Sequence, residues 1–472
     1  MSMENGNGST ETLIAPQLAD FVANLGHDDI PEDIRTRATY LILDAVGIAL
    51  ASTQYDFAHR TLTALSGFGS GDSHVIGFGA RLPLRDAVML NALLVHGLDY
   101  DDTHVAGVIH ATAAAFPAAL GVAADRRLPG RDLLTTYIAG MEASTRLGAV
   151  AKGGFHQVGF HPTGIVGVFA CALMAGRMNG LTSSQMAMAQ GIALSMASGS
   201  MEFLQDGAWT KRMHPGWAGV SGITAAALAK AGFTGPNAVY EGRFGLFPLY
   251  LDKEEFAQVD MSLATAGLGE KWEITNVAIK PIPACHFTHA SADAASALRK
   301  THGLKPEDIE SVRARVPAGV MKTVCEPIEH KQSPQNSYDA QFSVPYAVAL
   351  GLLYGRFGLS DLTQEALNDP ALQDMAKKVS CEEYPDAPFP KYYSGEVIVT
   401  LKDGRVLSHR EEINRGNPDR PLTNEEIAEK FWETATTAVA ADTATKIKNA
   451  ILDIDSLADS RSLSALLAGN NE

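Results

Sequence analysis

Thr275–Gly303, TNVAIKPIPACHFTHASADAASALRKTHG, marks a change of texture along the chain. Upstream of it, apolar residues recur at helical spacing. Within it, TNVAIKPIP reads as a strand and HASADAASALRKTHG as an amphipathic helix ended by Gly303. Further on, SVRARVP (311–317) alternates as a strand, and EVIVTLKDGRVLSHREE (396–412) reads as a hairpin turned at Asp403-Gly404. Strands and helices interleave only in this part of the chain. The fold class expected is therefore mainly α: an all-helical domain built from residues 1–272 and 415–472, with an inserted α+β lid domain over 273–414.

Working outward, residues 11–53 read as a pair of packed helices, the second with Pro31 near its first turn. Residues 54–83 are rich in Gly and Ser and hold short strand-like pieces such as HVIGFG, before a helix from Pro83 to about Leu98. From 112 to 250, Ala-rich apolar stretches alternate with turns such as LPG, GLT and FTGPN, which predicts helices buried on most faces. Toward the C-terminus, Thr423 followed by Glu426 predicts a capping box that opens a helix returning to the first domain.

The chain has 472 residues, 46% of them hydrophobic, enough for two or three domains with real cores, and disorder is expected only at its ends. Against 38 basic residues stand 54 acidic ones, a formal charge of -16, so a nucleic-acid partner is not expected. A basic pocket for an anion would be a local exception, which draws attention to Lys211, Arg212 and Lys280. The polar start MSMENGNGST has no secretory pattern and no apolar stretch is long enough to span a bilayer, so a cytoplasmic protein without a membrane partner is expected. Four widely spaced cysteines without a CxxC fit free thiols.

Four constellations carry groups for chemistry. In HGLDYDDTHVAGVIHAT, residues His96, Asp99, Asp101, Asp102, Thr103, His104 and His110 crowd just past an apolar helix. Acids at a helix C-terminus oppose its dipole, so stabilisation is a poor reason for them, whereas their titration range suits acid–base work. A solvated, capped loop is the alternative. GGFHQVGFHPTGIVGVFA places His161 before Pro162 at a helix start, a position for an anion or a neutral imidazole, or for a plain cap; His156 nearby reads as peripheral. GAWTKRMHPGWAGVSG sets Lys211, Arg212 and His214 among apolar residues, for a substrate carboxylate or for an interdomain salt bridge. KPIPACHFTHAS joins Lys280 to Cys285, His286 and His289, and the two histidines raise the question of a metal. Zinc spacing, a phosphate loop, a dinucleotide fingerprint and a GxSxG elbow are all missing, so no metal and no cofactor are expected.

Taken in order, DYDDTH, HPTG, KRMHPG and KPIPACHFTH resemble the MmgE/PrpD family over residues 12–450. The resemblance implies a cofactor-free homodimer whose helical domain carries an inserted lid. It also implies an active site of Asp99, Thr103, His110, His161, Lys211 and Lys280, with Tyr338 contributed from the lid. Asp99, His110, His161 and Lys211 are read as catalytic, and Thr103, Arg212, Lys280 and Tyr338 as substrate-binding. Two departures stand out: Ala111 replaces a common proline, and Cys285 lies where the decarboxylase branch tends to place histidine. The function implied is a lyase on a small di- or tricarboxylate. Dehydration of a 2-methylcitrate-like acid ranks first, epimerisation of an iminodisuccinate-like dicarboxylate second and cis-aconitate-type decarboxylation third. His161 or His110 is the expected base, oriented by Asp99. A helical binding or scaffold protein is the non-enzyme alternative.

Overall fold

The computed structural model describes residues 13–469; the polar start expected to be disordered lies outside them. Among the described residues the chain is mainly helical, with one four-stranded sheet and two short antiparallel pairs. The first expected helix pair is Ile14–Asn24 and Glu32–Ser52, and Pro31, its φ fixed by the ring, caps the second. Gly77 (φ +68) lies between β1 (Ser73–Val75) and β2 (Phe78–Leu82), which form a hairpin where short strands were expected. The helix Leu84–His96 then leads into the acidic cluster.

The centre of the helical part consists of Ala111–Arg126, Gly130–Val150, Pro162–Met178 and Thr210–Lys230, which pack against one another. The helix Pro162–Met178 is buried on nearly every face, so it lacks the polar stripe of a surface helix. Two glycines of Thr210–Lys230 make its close packing possible. A Cβ at Gly222 would stand 2.5 Å from Cys171 Cβ, and one at Gly216 would stand 2.5 Å from the Met89 carbonyl oxygen. This packing brings the start of that helix, with Lys211, beside the end of Leu84–His96.

TNVAIKPIP contributes less strand than expected. Only β4 (Val277–Ala278) is regular, paired antiparallel with β3 (Thr103–His104). Pro281 and Pro283, lacking N–H donors, cannot extend the ladder. The helix His289–His302 ends at Gly303 in the left-handed region, as its sequence predicts. It packs on β7 (Gly395–Leu401) and β8 (Val406–Glu411), with the helix Val344–Tyr354 against its side. With β5 (Ile309–Val316) and β6 (Val379–Glu383) these strands form a sheet ordered β6-β5-β7-β8, in which only β5 and β6 run parallel. The β7–β8 turn contains Gly404 (φ +86), and β7 buries Val397, Val399 and Leu401 by simple alternation.

Two large hydrophobic cores result, with a small third cluster of Phe203, Tyr338 and Phe342. One joins residues from Ile14 to Ile279 with residues from Leu422 to Leu467; the other spans Ile282 to Leu401 and also takes in Val105 and Ala278. Among the described residues no helix is long and apolar enough to cross a membrane. The returning helix Asn424–Ala435 has the predicted Thr423–Glu426 capping box and packs on Glu32–Ser52. From it Lys430 forms an ion pair with Asp44 at 2.7 Å and donates to the Tyr100 carbonyl at 2.9 Å, its ammonium lying 3.7 Å from the centre of the Tyr100 ring. The C-terminal part of the chain thus braces the acidic loop from behind.

Asp44 is 1% exposed, so Lys430→Ala strands a buried carboxylate. A loss of about 3–5 kcal/mol is expected in urea unfolding, and the double change Asp44→Leu with Lys430→Met should recover most of it. Wild-type stability in the single variant would show that the pair does not hold the helix.

Candidate active site

Asp99 follows the Leu84–His96 helix with a φ of +50°, a left-handed conformation that aspartate tolerates. This turn sends the chain inward, and the β3–β4 pairing sets it against the segment that carries Lys280. The Lys211 ammonium donates to Asp99 Oδ1 at 2.7 Å. That of Lys280 donates to the same oxygen at 3.1 Å and to the Asp99 carbonyl at 2.8 Å. All three side chains are buried. Burial alone would raise the Asp99 carboxyl, but Lys211 and then Lys280 outweigh it and hold it far below the usual carboxylate range. Two ammonium groups on one carboxylate leave a net positive charge in the cavity wall.

Imidazoles stand beside this triad. His110 Nδ1 donates to the Asp102 carbonyl at 2.6 Å, His96 Nδ1 donates to Asp101 Oδ2 at 2.7 Å, and His161 Nδ1 lies 3.0 Å from His214 Nδ1. The rings of His96, His110 and His161 lie 4.8 to 5.9 Å apart, centre to centre. Burial lowers all three, and the positive Lys280 and Lys211 push His110 down further, so at neutral pH they are uncharged. The Nε2 atoms of His96 and His161 are buried without a hydrogen-bond partner. Asp102 is driven the other way: burial raises its carboxyl to about 7, although the Thr112 hydroxyl donates to it. The acidic cluster is therefore an interior structure and not the solvated loop that was the alternative.

Asp99, Thr103, His110, His161, Lys211 and Lys280, far apart in sequence, line one cavity of about 40 Å³. Phe203, Phe287 and Phe342 with Val108, Met201 and Leu204 give it an apolar side. His156, Met201, Leu204 and Thr323 also line a larger neighbouring cavity of about 1190 Å³. Imidazoles could bind a metal as neutral ligands, and His96, His110 and His161 form a group close enough for one, as do Asp99, Asp101 and His110. The His286–His289 pair is not part of either group. There, Asn414 Nδ2 donates to His286 Nε2 at 2.8 Å, and His289 Nε2 donates to the Ala284 carbonyl at 3.1 Å.

Arg212 and Tyr338, expected at the substrate, do not line the cavity. The Arg212 guanidinium is packed between the rings of Tyr338 and Phe57, 4.5 and 4.6 Å from their centres, and its Nε donates to the Gly97 carbonyl at 2.7 Å. Tyr338 backs Phe342 and Phe203, so both residues support the apolar side from behind. The Asp99 carboxylate engages lysines where it was expected to orient an imidazole; that task falls to the Asp102 carbonyl, Asp101 and His214. His156, read as peripheral, lines the cavity, and burial pushes it down to about 4. Cys285 lines it as a neutral thiol, raised by burial to about 11. His96 and His214 lie inside two of the motifs quoted above, so the sequence contained their signal. Phe287 lies inside a third, KPIPACHFTH, whereas Met201 and Phe203 had no signal, since apolar residues in a helical protein read as core.

The MmgE/PrpD N-terminal domain model matches residues 16–259 and the MmgE/PrpD C-terminal domain model residues 282–456. Among curated proteins, the cis-aconitate decarboxylase of Homo sapiens is 29% identical, the alignment covering 94% of this chain and 92% of that protein. That of Aspergillus terreus is 26% identical, covering 99% and 98%. The 2-methylcitrate dehydratase of Salmonella typhimurium is 24% identical, covering 74% and 73%.

A donor aimed at developing charge is worth ~3–4 kcal/mol, so Lys211→Ala should lower kcat/KM by about two to three decades with the circular dichroism spectrum retained. Steady-state kinetics near wild type would remove Lys211 from the reaction.

Proposed function

This chain belongs to the MmgE/PrpD family, and from that premise we propose that it is a cofactor-independent lyase of small polycarboxylates. The observation that carries the reading is the buried Lys211–Asp99–Lys280 cluster beside neutral imidazoles in one cavity. Eliminating water from a β-hydroxy acid needs three things: a base for the proton α to a carboxylate, an acid for the departing hydroxyl and cations for the enolate-like charge. Lys211 and Lys280 supply the cations. His161 or His110 takes the proton on its free Nε2 and passes it on to the departing hydroxyl, which leaves as water. Thr103, whose buried hydroxyl has no partner, fits a substrate oxygen. Dehydration of a 2-methylcitrate-like acid is the first reading.

Decarboxylation is the second, and two observations favour it. The cis-aconitate decarboxylase relatives align over nearly the whole chain, and the apolar side of the cavity would desolvate a departing carboxylate. Cys285 speaks against it on the departure noted above. Proton NMR in deuterated water, on protein treated with EDTA, separates the possibilities. 2-Methylcitrate should give the shifted methyl and methylene signals of an unsaturated product at the untreated rate. Loss of CO₂ from cis-aconitate would establish the second reading, and deuterium wash-in to iminodisuccinate an epimerase. Inertness toward all three would end the proposal, and loss of activity on chelation would end its metal-free part.

Residues 273–414 act in this reading as a lid over the helical domain, which the separate second core supports. A homodimer is supported by the outer face of Thr210–Lys230, where Met213, Trp217 and Leu228 are exposed. The four cysteines are free thiols, which fits a cytoplasmic setting. Small-angle X-ray scattering tests lid and dimer together: a dimer mass that Trp217→Glu halves, and a radius of gyration that contracts on adding 2-methylcitrate. A wild-type monomer would refute the dimer, and an unchanged radius the lid closure.

A further inference from the structure

His214 does not line the cavity, yet it is the hydrogen-bond partner of a histidine that does. Its Nδ1 stands 3.0 Å from His161 Nδ1, and the two rings are 5.2 Å apart, centre to centre. The pair sits in a prepared niche. The His161 backbone N–H donates to the Gly199 carbonyl at 2.8 Å. A Cβ at Gly199 would fall 3.4 Å from His214 Nδ1, and one at Gly164 would fall 3.2 Å from His214 Cβ and 2.4 Å from the Ser198 carbonyl oxygen. Glycine at both positions leaves room for two facing imidazoles. His161 is 3% exposed and His214 9%, on a helix whose neighbouring Met213 and Trp217 are exposed.

An Nδ1–Nδ1 contact of this length holds one proton: one ring donates and the other accepts. His161 Nε2 is free of any partner, so it can serve as a base only if its own proton is on Nδ1. His214 must then accept at Nδ1 and keep its proton on Nε2.

We propose that His214 is a positioning and relay residue that fixes the basic tautomer of His161 and draws the positive charge that His161 gains away from the cavity. This rests on the lyase reading above, with His161 as the base. The electron pair of the broken C–H bond stays on the substrate carbon while the proton bonds to His161 Nε2. The Nδ1 proton of His161 then crosses to His214 Nδ1, which leaves His161 neutral, and His214 releases its Nε2 proton to water; the resting tautomers return when His161 Nε2 gives the substrate's proton to the departing hydroxyl, His214 Nδ1 hands its proton back and His214 Nε2 regains one from water. Two features require such a route. The cavity, at about 40 Å³, holds little water, and an imidazolium at His161 would face the positive Lys211. Burial lowers His214 to about 4 and His161 well below its ordinary value, so both rest neutral, as the relay requires.

Two measurements test this on the full-length protein. The first, with ¹⁵N-labelled histidine and no substrate, reads tautomers by long-range ¹⁵N–¹H NMR. His161 Nδ1 should be protonated and His214 Nδ1 bare in the wild type, and His214→Leu should turn His161 into a tautomer mixture. A bare His161 Nδ1 in the wild type would overturn the proposal whatever the activity. The second follows 2-methylcitrate deuterated at both carbons flanking the hydroxyl-bearing carbon, recovered from partial turnover in ordinary water. Both His214→Leu and His214→Asn should return label to the substrate several-fold more than wild type, because asparagine can anchor His161 but cannot pass a proton on. Washout restored by His214→Asn would reduce His214 to an anchor and refute the relay. If 2-methylcitrate is not turned over, the dehydratase reading fails, and the tautomer measurement still judges the pair.

Discussion

The carboxylate of Asp99 ties together three segments that are distant in the chain: the loop after Leu84–His96, the first turn of Thr210–Lys230 and the residues that follow β4. Taking one carboxylate and two ammonium groups out of water costs several kcal/mol for each ion, so such a group persists only where every ion has a hydrogen-bond partner. Here both lysines donate to Oδ1, and Lys280 also donates to the Asp99 carbonyl. The left-handed backbone at Asp99, the glycines that let Thr210–Lys230 approach and the short β3–β4 ladder all serve this one arrangement. If one of them changes, a charge is left buried without its counterpart.

The electrostatic character of the cavity follows from that cluster. Its surplus positive charge and its dryness act in the same direction on the neighbouring histidines, keeping them neutral and ready to accept protons. The same dryness lifts Asp102 to about 7 because no cation hydrogen-bonds to it, whereas Asp99 is held down by two. Two carboxylates three residues apart therefore have opposite proton affinities, a division of the kind acid–base catalysis uses. A buried, partly apolar site also strengthens each interaction with a charge that develops during reaction.

Support for the site comes from farther away. Lys430 anchors the Tyr100 carbonyl from the C-terminal part of the chain, and the Arg212 guanidinium, packed between Phe57 and Tyr338, braces the apolar side. Neither residue lines the cavity. Both hold backbone or rings that would otherwise blur the positions of groups that do, and such positioning is where much of an enzyme's advantage lies.

Local periodicity was enough to determine the mainly helical class, the change of texture near residue 275, the hairpin at Asp403-Gly404, the Gly303 stop and the Thr423 cap, because each depends on neighbours within a few residues. The order of four polar motifs likewise determined the family and six residues of the cavity wall. What the sequence left open depends on distance through space. Whether the acidic loop faces water or the interior, which group Asp99 binds, and whether Arg212 meets a ligand or two aromatic rings are decided by partners one hundred or more residues away. The pairing of His161 with His214, 53 residues apart, and the aromatic side of the cavity are likewise decided in space. A residue's type states which bonds it can make; only the packed chain states which partner is within 3 Å.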